Sequence, residues 1–256
     1  MRIAHISDLH VIATADPPGI LRADTVARAR ALMTDLSAFP GLDLVVITGD
    51  NVNDERAEEY AVLADVLKEL SVPFLILPGN HDDRAHLRAM VPDRPYPDEE
   101  RLYHLWQSGD VRVIVLDTLA KGEIGGRLLA PQLDWLEQNL AAPFEGHTLI
   151  ALHHPPSPPA MGKLDGNVLI EGNVRLQALL DALSRPATLL CGHMHRPFAA
   201  HFGRSFVSAA TSTAFQFALD LGALEEPPTV LEPYHYSVHV LRGDGQHSIH
   251  RRFPTL

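Results

Sequence analysis

Five polar clusters stand where buried β-strands should end: Asp8-Leu9-His10, Gly49-Asp50, Gly79-Asn80-His81-Asp82, His153-His154 and Gly192-His193-Met194-His195. Each follows a short apolar or β-branched run, from Ile3 to Ile6, Leu44 to Thr48, Phe74 to Leu77, Leu149 to Leu152 and Leu189 to Cys191. Runs of that kind read as strands covered on both faces in a largely parallel sheet, and open α/β sheets bind their ligands at the carboxyl ends of the strands. The five clusters are therefore expected to converge. Together they bring carboxylates, imidazoles and an amide oxygen, a donor set suited to two hard-to-borderline cations. The pattern points to a metal-dependent hydrolase.

Between the strands the apolar spacing turns helical. Val26, Ala29, Leu32, Met33 and Leu36 share one helix face, as do Tyr60, Leu63, Ala64, Leu67 and Leu70. Strand, helix, strand, helix, strand is the signature of parallel crossovers. A further short helix should begin at Asp83, whose side chain can cap it. After Pro92 a β-hairpin is expected, Leu102 to Trp106 and Val111 to Leu116 around Ser108-Gly109-Asp110. Helices follow from Pro131 and from Asn173 to Leu183. The last third reads as antiparallel strands with turns at Gly203-Arg204 and Gly243-Asp244-Gly245. The fold class is α/β, a mixed β-sheet sandwich flanked by helices. Residues 155–172 and 211–233 show no regular pattern, and their position after metal-type clusters suits loops that shape a substrate site.

Composition narrows the function. A chain of 256 residues, 46% hydrophobic, can bury a substantial core, and residues 1–256 are expected to form a single domain. The formal charge of -11 argues against an extended nucleic-acid surface, which needs clustered Lys and Arg. A small phosphorylated substrate stays open, because bound cations reverse the local field. The lone Cys191 fits a small buried strand residue. With a strand starting at residue 2 or 3 there is no room for a signal peptide, and no apolar run approaches membrane-spanning length, so the expected location is the cytoplasm.

The ordered motifs Asp-x-His, Gly-Asp, Gly-Asn-His-Asp, His-His-Pro and Gly-His-x-His, spread over residues 8 to 195, resemble the calcineurin-like metallophosphoesterase superfamily. The run His153-His154-Pro155-Pro156 is similar to the branch of class III cyclic nucleotide phosphodiesterases and glycerophosphodiesterases. The resemblance implies a four-layer fold and two metal ions, drawn from iron, manganese, zinc or cobalt, sharing Asp50. One ion would be held by Asp8, His10, Asp50 and His195, the other by Asp50, Asn80, His153 and His193. Each oxygen of the Asp50 carboxylate could take one cation, and the Asn80 amide oxygen adds a donor without charge. His193 and His195 can serve different ions only from an irregular turn, since alternate strand residues face the same way.

His153 is favoured over His154 because it is the first position beyond the apolar run and the one that the motif matches. His154 is then a supporting, substrate-facing or packing residue. The resemblance also implies in-line attack on phosphorus by a metal-activated hydroxide, with His81 assisting the leaving alkoxide. Asp82 would cap a helix or orient His81. Lys163, Asp165 and Arg196 could touch substrate but read first as loop charges. His5, His86, His104, His147, His201, His235, His239, His247 and His250 match no ligand motif and are assigned ordinary roles.

The implied activity is hydrolysis of a small phosphodiester, a cyclic nucleotide or a glycerophosphodiester. A phosphomonoesterase or nuclease of the same superfamily is the alternative, and a non-catalytic protein-binding scaffold the remote one, since a scaffold should have lost ligands. A homodimer or higher oligomer could form through an edge carrying Tyr234, Tyr236 and Val238.

Overall fold

The structure is a computed structural model and describes residues 1–14, 21, 23–219, 221 and 227–254. In chain order, the first part holds β1 (Arg2–Ile6), α1 (Thr25–Ala38), β2 (Leu44–Ile47), α2 (Ala57–Leu67), β3 (Phe74–Ile76) and α3 (Arg84–Met90). The middle holds β4 (His104–Ser108), β5 (Val111–Val115), β6 (Gly126–Arg127), α4 (Ala130–Ala141), β7 (His147–Ala151), β8 (Leu169–Glu171) and α5 (Asn173–Asp181). The remainder is β9 (Thr188–Cys191), β10 (Ala199–Phe202), β11 (Ser205–Ala209), β12 (Gln216–Phe217), β13 (Thr229–Val230), β14 (Tyr236–Leu241) and β15 (His247–Arg252).

Two mixed sheets face each other, ordered β15-β14-β1-β2-β3 and β10-β11-β9-β7-β5-β4. Strands β1, β2 and β3 are parallel, as are β5, β7 and β9, whereas β14, β15, β4 and β10 pair antiparallel. Alternation along the strands explains the layering. Ile3, Leu44, Val46 and Leu75 point between the sheets to meet Val113, Val115, Leu149 and Leu190. Ala4, Ile6, Val45 and Ile47 point outward onto Leu32, Met33, Leu36 and Leu63 of α1 and α2. Ile114, Ile150 and Leu189 likewise pack on Leu133, Leu136, Leu176 and Leu180 of α4 and α5. The result is four layers, helices, sheet, sheet, helices, which is why the strands read as continuous apolar runs rather than alternating ones.

Asp83 caps α3 as its sequence position requires, accepting from the N–H groups of Ala85 and His86 at 2.9 and 3.1 Å. Three expectations change. The segment 155–172 is organised: a 3₁₀ turn spans Gly162–Asn167, β8 pairs with β6, and Leu169 N–H donates to the Pro155 carbonyl. Within 211–233, β12 and β13 form a two-stranded sheet. The proposed dimer edge is also misplaced, because β14, which carries Tyr236 and Val238, lies between β1 and β15 and has no free edge. Among the described residues no helix is long and apolar enough to cross a membrane.

Candidate metal centre

All five clusters meet at one end of the two sheets. Asp8 and His10 follow β1, Asp50 follows β2, Asn80 and His81 follow β3, His153 follows β7, and His193 and His195 follow β9. The turns that carry them are strained. Asp8, His10, Asp50, His193 and His195 all have left-handed backbone, at φ 54, 43, 50, 69 and 53°. Each such residue is less stable by about 1–3 kcal/mol unless its surroundings enforce it. Here the strain accomplishes what a regular strand forbids, turning His193 and His195 towards different neighbours. Close approach adds a second constraint, since a side chain at Gly79 would collide with the Asp50 carboxylate and one at Gly192 with Ser7 and Asp8.

Donor atoms gather in two groups. In the first, His10 Nε2 lies 3.0 Å from His195 Nε2 and 3.6 Å from Asp50 Oδ2, and His195 Nε2 lies 3.6 Å from Asp8 Oδ1. In the second, His153 Nε2 lies 3.1 Å from Asn80 Oδ1, 3.2 Å from His193 Nδ1 and 3.3 Å from Asp50 Oδ2. Ligands held about 2.0–2.2 Å from one cation in tetrahedral or octahedral geometry stand about 3.0–3.6 Å from each other. Both groups match that spacing. Nitrogen facing nitrogen at such distances is otherwise unfavourable unless a proton or cation lies between them. The residues present therefore fit two ions.

In His10, His153 and His195 the other ring nitrogen is committed, which orients the ring. His10 Nδ1 lies 3.2 Å from Asn53 Oδ1, His153 Nδ1 donates to the Thr48 carbonyl at 2.7 Å, and His195 Nδ1 donates to the Phe215 carbonyl at 3.1 Å. Such partners fix the tautomer and leave Nε2 as the ligating atom. Burial, only partly offset by the Asp50 charge, lowers His10 to about 4 and holds His193 and His195 well below the usual histidine range. All three are thus neutral at pH 7, the form that binds metal. Burial and the neighbouring Asp50 carboxylate raise Asp8 to about 7, against the pull of His153. Burial would lower His153, but the Asp50 and Asp8 carboxylates prevail and raise it to about 9. The chain by itself gathers a proton where negative charge is crowded, as a cation-binding pocket should.

Asp50 reaches both groups, but not as the sequence suggested. Its Oδ2 faces His10 and His153 alike, while Oδ1 accepts the His81 N–H at 2.9 Å. One oxygen, not two, is shared. The adjacent histidines separate just as clearly. His154 lies within reach of His153 and His193. Its Nδ1, however, accepts from the Thr118 hydroxyl at 2.7 Å and its Nε2 donates to the Ile124 carbonyl at 2.9 Å. No ring nitrogen remains to bind an ion.

His81 donates from Nδ1 to the Asn53 carbonyl at 2.8 Å and lines the cleft above the centre. Asp82 plays neither of its expected parts. It caps no helix and does not touch His81, but accepts from Asn51 N, Asn51 Nδ2, Gly79 N and the Tyr60 hydroxyl. It thereby ties the Asp50 turn to the Asn80 turn. Arg196 is a brace too: its Nε donates to the Phe217 carbonyl and its Nη2 pairs with Glu232, holding β12 in place. Asp165 accepts from Met161 N–H within its own loop. The nine remaining histidines contribute no atom to either group.

Asn53 was missed by sequence reading, although it supports both His10 and His81. Its only sequence signal is its place three residues after Asp50. Ser212 was also missed; its hydroxyl donates to the Asp8 carbonyl at 2.8 Å. Over the centre opens a cleft of about 580 Å³, with His10, Asp50, Asn80, His81, His193 and His195 at its floor.

A protein named probable glycerophosphodiester phosphodiesterase GpdQ, from Arcobacter nitrofigilis, is 31% identical over 244 residues, covering 93% of this chain and 88% of its own length. A cAMP/cGMP dual specificity phosphodiesterase of Mycobacterium tuberculosis is 34% identical over 230 residues, covering 86% of this chain and 70% of its own. Among solved structures, a dimetal phosphatase from Danio rerio superposes with a TM-score of 0.75 at 14% identity, covering 99% of this chain and 96% of that one. At that identity the likeness speaks for the fold. The model of the calcineurin-like phosphoesterase family matches residues 1–197, and the chain belongs to that family.

Proposed function

We propose that this chain is a metal-dependent phosphodiesterase that hydrolyses small diesters of the cyclic-nucleotide or glycerophosphodiester type, with residues 1–256 acting as one catalytic domain in the cytoplasm. The observation that carries the reading is the pair of donor groups sharing Asp50 Oδ2 at the floor of one cleft. Asp8, His10, Asp50 and His195 would hold one ion, and Asp50, Asn80, His153 and His193 the other. Iron, manganese, zinc and cobalt all suit such mixed nitrogen and oxygen ligation. Two cations so held would supply Lewis acidity at phosphorus and would acidify a bound water.

The chain's own residues do the rest. Asn53 holds the His81 ring by its Nδ1, so that Nε2 is the nitrogen left to protonate a departing alkoxide. Among the described residues no Lys or Arg lines the cleft, which suits a diester with one negative charge better than a monoester with two. The relatives named above are diesterases by name, which supports the same choice. A homodimer pairing through the first sheet would use β15 or β3, its two edges.

The test is a metal count beside a turnover panel. Wild-type protein loaded with manganese or zinc should hold two ions per chain and turn over 3′,5′-cyclic AMP or glycerophosphoethanolamine. Asp50→Ala should lose at least one ion and nearly all turnover. An Asp50→Ala protein with two ions and normal rates would refute the assignment.

A further inference from the structure

The walls of the cleft differ from its floor. They are built from Leu21, Ile124, Leu164, Met194, Phe215 and Phe217, with a single polar member on that side, Asn167. Leu164 and Phe217 pack with Met161, Val168 and Met194 in an apolar cluster that ties the 3₁₀ turn at 162–167 to β12. Ile124 stands at the rim, 59% exposed. An apolar surface bordering a cleft with charged chemistry at its base is suited to cover an apolar part of the ligand.

Both phenylalanine rings pack beside His195, with centres 4.2 Å away for Phe215 and 5.5 Å for Phe217, but only Phe215 also holds a His195 ring nitrogen. Phe215 is buried against His195, ring centres 4.2 Å apart, and its carbonyl holds His195 Nδ1, so it belongs to the support of the metal centre. Phe217 stands edge-to-face with Phe215 at 5.5 Å and 89° and is only partly buried. The side chain of Asn167, at the end of the 3₁₀ turn, has no hydrogen-bond partner among the described residues although it lines the cleft. A carboxamide can donate and accept side by side, which matches the paired acceptor and donor on the edge of a nucleobase.

Resting on the phosphodiesterase reading above, we propose that Phe217, Leu164 and Asn167 form a specificity subsite for the organic substituent of the diester. Phe217 stacks on a planar heteroaromatic ring, Leu164 covers it, and Asn167 hydrogen-bonds its polar edge. The subsite favours a nucleotide diester over a glycerol diester. A quaternary ammonium group is the other ligand that aromatic corners bind, and a neighbouring carboxylate would strengthen its hold. Among the described residues the cleft offers no acid except Asp50, already committed to the centre.

The experiment compares metal-loaded wild type with Phe217→Ala, Phe217→Leu and Asn167→Ala, after thermal melts establish that each variant is folded. Phe217→Leu keeps apolar bulk but loses the ring. Substrates are 3′,5′-cyclic AMP, glycerophosphoethanolamine and glycerophosphocholine. Phe217→Ala should reduce kcat/KM for cyclic AMP by roughly 5- to 100-fold, mainly through KM, as expected for a lost base stack. Both glycerol diesters should change by less than about threefold. Asn167→Ala should weaken cyclic AMP alone, by roughly 2- to 10-fold.

Calorimetric titration supplies a readout apart from turnover: Phe217→Ala and Phe217→Leu should weaken 5′-AMP but not ribose 5-phosphate. Equal losses on all three substrates, or unchanged 5′-AMP binding, would overturn the subsite. Selective damage to glycerophosphocholine would overturn it in favour of an ammonium cage. Failure of metal-loaded wild type to cleave any diester would instead sink the phosphodiesterase reading, while the two titrations would still decide the subsite.

Discussion

Replacing Asp82 by Ala should unfold the site without touching a proposed ligand. The Asp82 side chain is fully buried. Its Oδ2 accepts from Asn51 N at 3.2 Å, Asn51 Nδ2 at 2.8 Å and Gly79 N at 2.9 Å, and its Oδ1 accepts from the Tyr60 hydroxyl at 3.1 Å. Asn51 Nδ2 has a second acceptor, the Leu77 carbonyl, and the Tyr60 hydroxyl has the Asp83 carbonyl. The amides of Asn51 and Gly79 have no such alternative. Each buried donor left unpaired costs about 1–3 kcal/mol, so Asp82→Ala should lose about 2–6 kcal/mol.

Asp82→Asn is the informative control. Its amide oxygen can replace Oδ2 for the backbone donors, and its NH₂ can donate to the Tyr60 hydroxyl oxygen. It should lose less than about 2 kcal/mol. Urea melts of metal-free protein measure both, and metal titration should show weaker binding in the Ala variant, because the Asp50 and Asn80 turns are no longer joined. Equal destabilisation of the two variants, or an Ala variant within about 1 kcal/mol of wild type, would refute the reasoning.

Other perturbations test other parts of the centre. His153→Ala should weaken one ion far more than His154→Ala does, since both nitrogens of His154 are engaged by Thr118 and Ile124; calorimetric metal titration reads the order, and the reverse order would reassign the ligand. His81→Ala should keep both ions yet lower turnover of an alkyl diester by roughly 10²–10⁴-fold. The loss should be smaller with a nitrophenolate leaving group, which needs little protonation, so equal losses would argue against the proton-donor role. Away from the site, Asp35 accepts two hydrogen bonds from Arg252 and one from Tyr236, each 2.7 Å, and Arg252 followed by Tyr236 holds its carboxyl below the ordinary range despite opposing burial. A depressed folded value gives stability that is present above the unfolded value and lost as pH falls through the folded one. With Arg252 partly exposed, Asp35→Asn should cost about 1–2 kcal/mol at neutral pH, and the gap from wild type should close below about pH 4. A gap constant with pH in urea melts would refute the ion pair's role.

The sequence by itself determined the long apolar strands of the two sheets, the helices between them, the Asp83 cap and the residues that meet at the centre. Those features are encoded locally, in apolar runs, in helical spacing and in polar residues within four positions of a strand end, so Asp8, Asp50, Asn80, His153 and His193 could be placed without coordinates. Tertiary structure decided what each atom does. That Asp50 shares one oxygen while the other holds the His81 amide depends on the distance between two strand ends, which no pattern of residue types records. The Thr48 and Phe215 carbonyls that orient His153 and His195 carry no signature, because every residue has a carbonyl. Asp82 and Arg196 looked like site chemistry because they neighbour it in sequence. Only the folded chain brings Gly79 N–H to Asp82 and Phe217 O to Arg196, and so makes both residues braces. The cleft walls were equally hidden, since Ile124, Leu164, Asn167 and Phe217 come from segments far apart in sequence. Two of those segments have too little apolar periodicity to announce the short strands and the 3₁₀ turn that pairing and packing across the molecule impose on them.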